Sequence, residues 1–346
     1  MKKLLLIISL GTLASILILS SSSCKKSKKW DYEKGHFSTT PVNLSFLNTA
    51  YDDYNSTLNQ SGETFPLCFS TNRKSNGSQF DIIYKLIQIV YDWETKDLSI
   101  KLETSGNLDV AINNNSIYSA LSKINTSANE FGPFMVNMGI KKSTNSNWGQ
   151  YYSYLFLYSN DVNGQQDIRF VENRDQENYT EAKEVKFLNS SFDDAYPSFN
   201  KNDSGLYFCS NREGEFNIYY ASIDFSSRDW PTIFSDTTQK QIVKVNMLSS
   251  DSADKCPFIL GNTMVFTSKR PGGYGGFDLY YSKFEDGHWS EPINFGSKIN
   301  TAADEYRPIV RREEGFDNDF MIFSSNRQGG KGGFDLYYVG IDKIPY

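Results

Sequence analysis

The chain has 346 residues, a formal net charge of −6, 39% hydrophobic and 22% charged residues, and an aromatic content of 15%. That profile is globular rather than disordered and leans toward β structure, where rings pack well on a pleated surface. Only two histidines are present, His36 and His288, which leaves very little from which to build a His-rich zinc site or a histidine-based triad.

At the N-terminus, Lys2 and Lys3 precede an apolar run from Leu4 to Leu19, then a Ser20–Ser23 tract and Cys24. A basic start, an apolar stretch shorter than the ~20 residues of a spanning helix, and small residues after it read as a signal peptide. The small-residue tract ending in one cysteine resembles the lipobox of bacterial lipoproteins, although Ser21 stands where that motif usually has Leu. The resemblance implies lipid attachment at Cys24; ordinary secretion with cleavage near Ser22 or Ser23 is the alternative. Lys25, Lys26, Lys28 and Lys29 form a short tether, and from Trp30 onward 29 basic face 41 acidic side chains. Such a body does not bind nucleic acid through a basic field. Beyond the tether, Cys68, Cys209 and Cys256 are odd in number, so at least one thiol is free. Cys68 and Cys209 lie in apolar strand-like runs and read as buried small hydrophobes.

One pattern recurs five times: an apolar strand, a polar corner, a loop, then Asp or Asn opening an Ile/Leu/Tyr strand. It runs from Leu67 through Asn72-Arg73 to Asp81, from Leu155 through Asn160-Asp161 to Asp167, and from Leu206 through Asn211-Arg212 to Asn217. Met264 through Lys269-Arg270 to Asp278, and Met321 through Asn326-Arg327 to Asp335, complete the set. Each copy reads as a hairpin. The corner residue moves from 72 to 160, 211, 269 and 326, giving spacings of 88, 51, 58 and 57. A period in the fifties suits a four-stranded propeller blade, and the surplus in the first interval predicts an insertion near 84–122, as a long hairpin or surface loop.

A second element precedes each hairpin. Ile299-Asn300-Thr301-Ala302-Ala303-Asp304-Glu305 is echoed by Ile124 to Glu130, and again by Asn48-Thr49-Ala50-Tyr51-Asp52-Asp53 ahead of the first hairpin. The last hairpin ends near Tyr338 with no room for a fourth strand, so the strand at Pro41–Leu44 is expected to supply it and close the ring. The expected organisation is therefore a signal peptide over 1–23, a lipidated tether over 24–36, and an all-β, five-bladed β-propeller over 37–346 closed by an N-terminal outer strand.

The Asp/Glu-x-x-Pro start, the Ser-Asn-Arg corner, the Gly-Gly-Tyr-Gly-Gly-Phe-Asp-Leu-Tyr-Tyr hairpin at 272–281 and His288-Trp289-Ser290-Glu291-Pro292-Ile293-Asn294 resemble TolB-type, WD-repeat-like propellers of Gram-negative envelopes. The resemblance covers about residues 37–344. It is weaker in the first two blades, where Ser56 replaces the proline and Asp161 the arginine. It implies an outer-membrane, lipid-anchored protein on the periplasmic face, with an envelope protein or a glycan as partner.

Three residues before each proline or its Ser56 equivalent lies an acid: Asp53, Glu130, Asp194, Asp254 and Glu305. One acid per blade forms a ring around the pseudo-symmetry axis, either to hold a cation at the channel mouth or to accept hydrogen bonds from backbone and from Arg73, Arg212, Arg270 and Arg327. Repetition in every blade favours the structural role. Asp161, Asn163 and Asp167 have the oxygen spacing of part of a calcium loop without its distal Glu. The glycine-rich stretches 272–276 and 329–333 precede strands, not helices, and read as hairpin turns rather than phosphate loops. Tyr274, Trp289 and Trp148 sit in loop-like contexts where they could stack on sugars, although Trp230 partly repeats Trp289 and points to packing. No cofactor is implied. The functional expectation is a non-catalytic scaffold binding a protein or glycan; the alternatives are a five-bladed glycoside hydrolase using inward carboxylates that break the repeat, or a carbohydrate-binding lectin.

Overall fold

The computed structural model describes residues 33–58, 64–104, 108–143, 149–199 and 204–344. The expected signal peptide, Cys24, most of the tether and Trp148 lie outside the described residues. Five antiparallel sheets follow one another along the chain. The first is built from Asp53–Leu58, Thr64–Thr71, Asp81–Tyr91 and Leu98–Leu102; the second from Glu130–Lys142, Gln150–Asn160, Asp167–Glu172 and Lys183–Glu184. The third uses Asp194–Ser198, Gly205–Ser210, Asn217–Ser222 and Ile242–Lys244; the fourth Asp254–Leu260, Thr263–Ser268, Asp278–Glu285 and Ile293–Asn294, with a short extension at His288–Trp289. In the fifth, Glu305–Arg311, Asp319–Ser325 and Asp335–Ile341 are completed by Val42–Asn43. This is the five-bladed propeller that the repeats predict.

Strands such as Thr263–Ser268 and Gly205–Ser210 are buried along their whole length. Each middle strand is covered on one face by the preceding blade and on the other by the next, which removes the apolar/polar alternation expected of a sheet with a wet face. The largest apolar cluster spans the seam where the ring closes: Phe37, Leu44, Leu47, Phe65, Phe69, Phe320, Phe323 and Leu336 are each at most 2% exposed.

Closure follows the expected route. Val42 pairs with Tyr338 and Asn43 with Tyr337, and the Leu44 amide donates to the Leu336 carbonyl at 2.9 Å. Asn48 then clamps Leu336 from both sides, accepting from its amide and donating to its carbonyl, each at 2.9 Å. The same two-way clamp joins Asn125 to Ile82, Asn189 to Ile168 and Asn300 to Leu279. At four of the five junctions one asparagine thus carries the chain from the third strand of one blade to the first strand of the next.

The insertion takes a different form from the hairpin or surface loop expected near 84–122. The strands at 81–91 and 98–102 belong to the first blade, and the surplus is a helix, Leu108–Ile124. Its Ile117, Ala120, Leu121 and Ile124 fall at i, i+3, i+4 and i+7, the period of a single buried stripe, and pack on Tyr84, Leu86, Tyr154 and Phe156. The helix covers apolar side chains on interior strands of the first two blades.

Glycine is required where a hairpin corner presses on the next blade. A Cβ on Gly332 would overlap the Tyr51 carbonyl, and one on Gly275 would overlap the Thr301 and Ala303 carbonyls. Because the obstacle is backbone, it cannot rotate away. Gly332→Ala is expected to cost ~1–3 kcal/mol, read as a fall in thermal midpoint, whereas Gly329→Ser at the open tip of the same hairpin meets nothing within 4 Å and costs less through its positive φ alone.

Candidate functional site

The five acids stand at the head of the five inner strands, each fully buried. Four of them share one arrangement. Asp53 Oδ1 accepts from Arg73 Nη2 at 2.5 Å and from Thr71 Oγ1 at 2.5 Å, while Oδ2 accepts the Thr49 amide at 2.7 Å and hydroxyl at 2.9 Å. Asp194 accepts from Arg212 at 2.6 Å and from the Ser190 amide and hydroxyl; Asp254 accepts from Arg270 at 2.8 Å and from the Ser250 amide and hydroxyl. Glu305 accepts from Arg327 at 3.0 Å, from Ser325 and from Thr301. Each arginine also donates to a carbonyl of the loop entering its blade, at Leu47, Leu188, Leu248 or Ile299. In these four blades both carboxylate oxygens and the corner guanidinium are therefore engaged, tying the hairpin corner to the loop that enters its blade.

Glu130 departs from this pattern. The second blade has Asp161 where the others have arginine, and Asp161 turns instead to the Asn129 amide at 2.8 Å and side-chain nitrogen at 2.7 Å. Glu130 Oε1 accepts from Thr126, from the hydroxyl at 2.7 Å and the amide at 3.3 Å. Oε2 has no hydrogen-bond donor. Burial pushes this carboxyl up to about 7, reinforced by the nearby Asp81 carboxylate and opposed by the Thr126 bonds and by the Asn160 side chain. Burial raises Glu305 as well, but there Thr301 and Arg327 pull the other way.

The axis itself is filled. Two residues after each acid the inner strand carries a left-handed residue and a register shift: Asn55, Gly132, Tyr196, Cys256 and Arg307, with φ between 51° and 57°. This repeated bulge turns the side chains at these positions inward. Asn55 Nδ2 reaches the Tyr196 hydroxyl at 3.3 Å, from the first blade to the third. Arg307 Nη2 donates to the Pro133 carbonyl at 3.2 Å, from the fifth blade to the second. Bonds between blades that are not neighbours in the ring must cross its centre. Around them Tyr54, Phe80, Phe131, Tyr306 and Phe334 form an aromatic cluster with centroid separations of 5.0–6.4 Å.

Other sequence candidates have different surroundings. Asn163 donates to Asp167 at 3.0 Å while Asp161 faces Asn129, so the three residues of the calcium-like segment do not converge on one point. Among the described residues, no group of three or more His, Cys, Asp or Glu is placed to hold a metal ion. Trp289 and Trp230 are packed, at 6% and 5% exposure, whereas Tyr274 is exposed. Cys68, Cys209 and Cys256 are buried and free. An open cleft of about 730 Å³ on the rim between the third and fourth blades is lined by Tyr207, Tyr220, Phe284, His288 and Trp289. Sequence reasoning treated Glu130 as one member of a uniform ring. The signal that sets it apart, Asp161 in place of arginine, was visible but attached to the corner and not to the acid it would have met.

No family model matches the chain, and no curated protein matches it. Solved structures that it is similar to include a GH43 protein from Bacillus licheniformis, 13% identical, TM-score 0.49, covering 88% of this chain and 55% of that one. A thermostable family-43 glycoside hydrolase is 10% identical with TM-score 0.49, covering 88% and 98%. A GH62 hydrolase in complex with xylotriose is 9% identical with TM-score 0.49, covering 89% and 97%. Likeness of this order concerns the fold.

Two expectations are corrected. The solved structures named above are glycoside hydrolases and not TolB-type or WD-repeat proteins; what is shared is the five-bladed fold, and the envelope-propeller resemblance stands at that level. The non-catalytic scaffold reading falls with it. It rested on the repeated polar residues all having one structural explanation, and Glu130 lacks the corner arginine that the other four acids have.

Two outcomes follow from this geometry. Arg270→Met leaves Asp254 buried without its cation and is expected to cost ~3–5 kcal/mol in denaturant unfolding, with Arg270→Met/Asp254→Asn recovering part of the loss. Because Glu130 is raised to about 7 in the folded state against an ordinary 4.5, the folded protein holds a proton that the unfolded chain releases. Its contribution is present in full below pH 4.5 and is lost as pH rises through about 7. The wild type should therefore lose ~3 kcal/mol more than Glu130→Gln over that interval in chemical denaturation.

Proposed function

We propose that this propeller is a glycoside hydrolase in which Glu130 supplies the proton to the leaving-group oxygen. The observation that carries the reading is the carboxyl itself: alone among the five repeat acids it has no arginine, and burial raises it to about 7. A general acid in glycoside cleavage must still hold its proton near neutral pH, which is what an apolar setting and an adjacent carboxylate accomplish. Asp81, whose charge raises Glu130 and which pairs with Lys74 at 3.1 Å, is the second carboxylate of this corner. It takes the role of stabilising positive charge on the sugar or activating water. Glu130 is covered in this structure, so a glycan reaches Oε2 by displacing the Thr126–Asn129 turn. The solved glycoside hydrolases of similar fold make the same class of substrate the first to try. A lipid anchor at Cys24 would hold the enzyme at the outer membrane, on the periplasmic face, with glycan as its partner there.

The test is hydrolysis of a panel of aryl glycosides and plant and bacterial polysaccharides by the mature protein. Wild type is expected to release reducing sugar with a rate that falls as pH rises through about 7, and Glu130→Gln to reduce it ~10²–10⁴-fold. Turnover unchanged in Glu130→Gln, or no hydrolysis across the panel, would overturn the reading.

A further inference from the structure

Arg307 presents a charge that the fold leaves unanswered. It is fully buried on the axis, where Nη2 meets the Pro133 carbonyl while Nε and Nη1 have no acceptor. Its guanidinium lies over the Tyr196 ring, 5.2 Å from the centroid. The other groups that face it are Cys256, Cys209 and Tyr306. None is anionic near neutral pH: burial holds both phenols well above their ordinary range and pushes the Cys256 thiol up to about 11. A further positive charge, Lys255, acts on the same two thiols and seats its ammonium 3.7 Å from the centre of the Phe216 ring.

Arg73, Arg212, Arg270 and Arg327 each meet a buried carboxylate, and the buried Arg311 pairs with Glu313. A guanidinium does not shed its proton in a protein, and an isolated buried charge is among the costliest features a fold can carry. At the equivalent bulge the other blades place Asn55, Gly132, Tyr196 and Cys256, so the repeat does not demand a cation there. Asn55 and Tyr196 add polar groups to the same centre.

We propose that the propeller axis is a binding site for a small inorganic monovalent anion of halide size, held by the Arg307 guanidinium through one of its two donors, Nε or Nη1, that lack an acceptor. A single guanidinium balances a single negative charge. Tyr196 and Tyr306, at 4% and 8% exposure, close the guanidinium off from the carboxylate of a polymer. The inference is independent of the hydrolase reading, since it concerns the centre of the ring and not the corner at Glu130.

The deciding experiment uses crystals of the mature wild-type protein soaked in sodium bromide, with diffraction data collected at the bromine edge. An anomalous peak within hydrogen-bond reach of the Arg307 guanidinium is expected. A water molecule there, or bromide at surface lysines only, would sink the proposal. In solution, exchanging sodium gluconate for sodium chloride at equal ionic strength, about 0.1 M, is expected to raise the melting temperature by ~3 °C or more. Arg307→Met should abolish that difference. Equal melting temperatures of the wild type in the two salts would overturn the assignment, and if the variant does not fold the wild-type bromide map decides alone.

Discussion

A carboxylate buried at the start of an inner strand is tolerable only if the chain supplies donors to meet it, and the architecture of this propeller is organised around that requirement. In four blades the donors are a corner arginine and the amide and hydroxyl of a Ser or Thr four residues upstream. The arginine also grips a loop carbonyl, so one ion pair sets the corner of its own hairpin and the path by which the chain arrives from the blade before. The loop asparagines and the amides of the five acids, which donate to Phe334, Phe80, Gln166, Phe216 and Phe277, complete a belt of polar bonds between sheets whose faces are otherwise apolar. The apolar faces supply most of the stabilisation; the polar belt selects the relative placement of the blades, because a shift would strand buried charges.

The second blade shows what happens when one half of the pair is missing. Without arginine the acid remains, buried and held from one side by Thr126, and its proton becomes labile near neutrality. The substitution that removes a staple is the same one that creates a titratable group, so structure and chemistry at this corner have a single physical origin. Asp161 does not go unused: it takes over the Asn129 contacts.

The centre of the ring follows a different logic. The bulge in every inner strand bends the backbone into a left-handed residue, and the side chains there meet those of other blades at close quarters. Asn55, Tyr196, Cys256 and Arg307 fill what would otherwise be a channel, with contacts spanning blades that are far apart in the sequence. Polar groups at such a place are either fully matched or costly, and Arg307 stands out because its neighbours are rings and thiols and not acids.

Much of this was legible in the residues. The recurring strand, corner and hairpin gave the number of blades, and the early copy of the loop motif around Asn48 to Asp53 gave the closure, because a ring needs its last outer strand from somewhere and Val42–Asn43 was the remaining candidate. The acids and their arginines could be paired from spacing alone, since each recurs at a fixed interval and opposite charges in a repeat tend to meet. Other features required the tertiary structure. Helix Leu108–Ile124 carries its stripe openly, but an expectation built on β repeats read it as loop. The isolation of Glu130 depends on which corner faces which acid, and the isolation of Arg307 on which blades meet across the axis. Sequence periodicity determines which residues are equivalent, whereas burial and the set of neighbours, which decide whether a charge is matched, arise only when five copies close on one another.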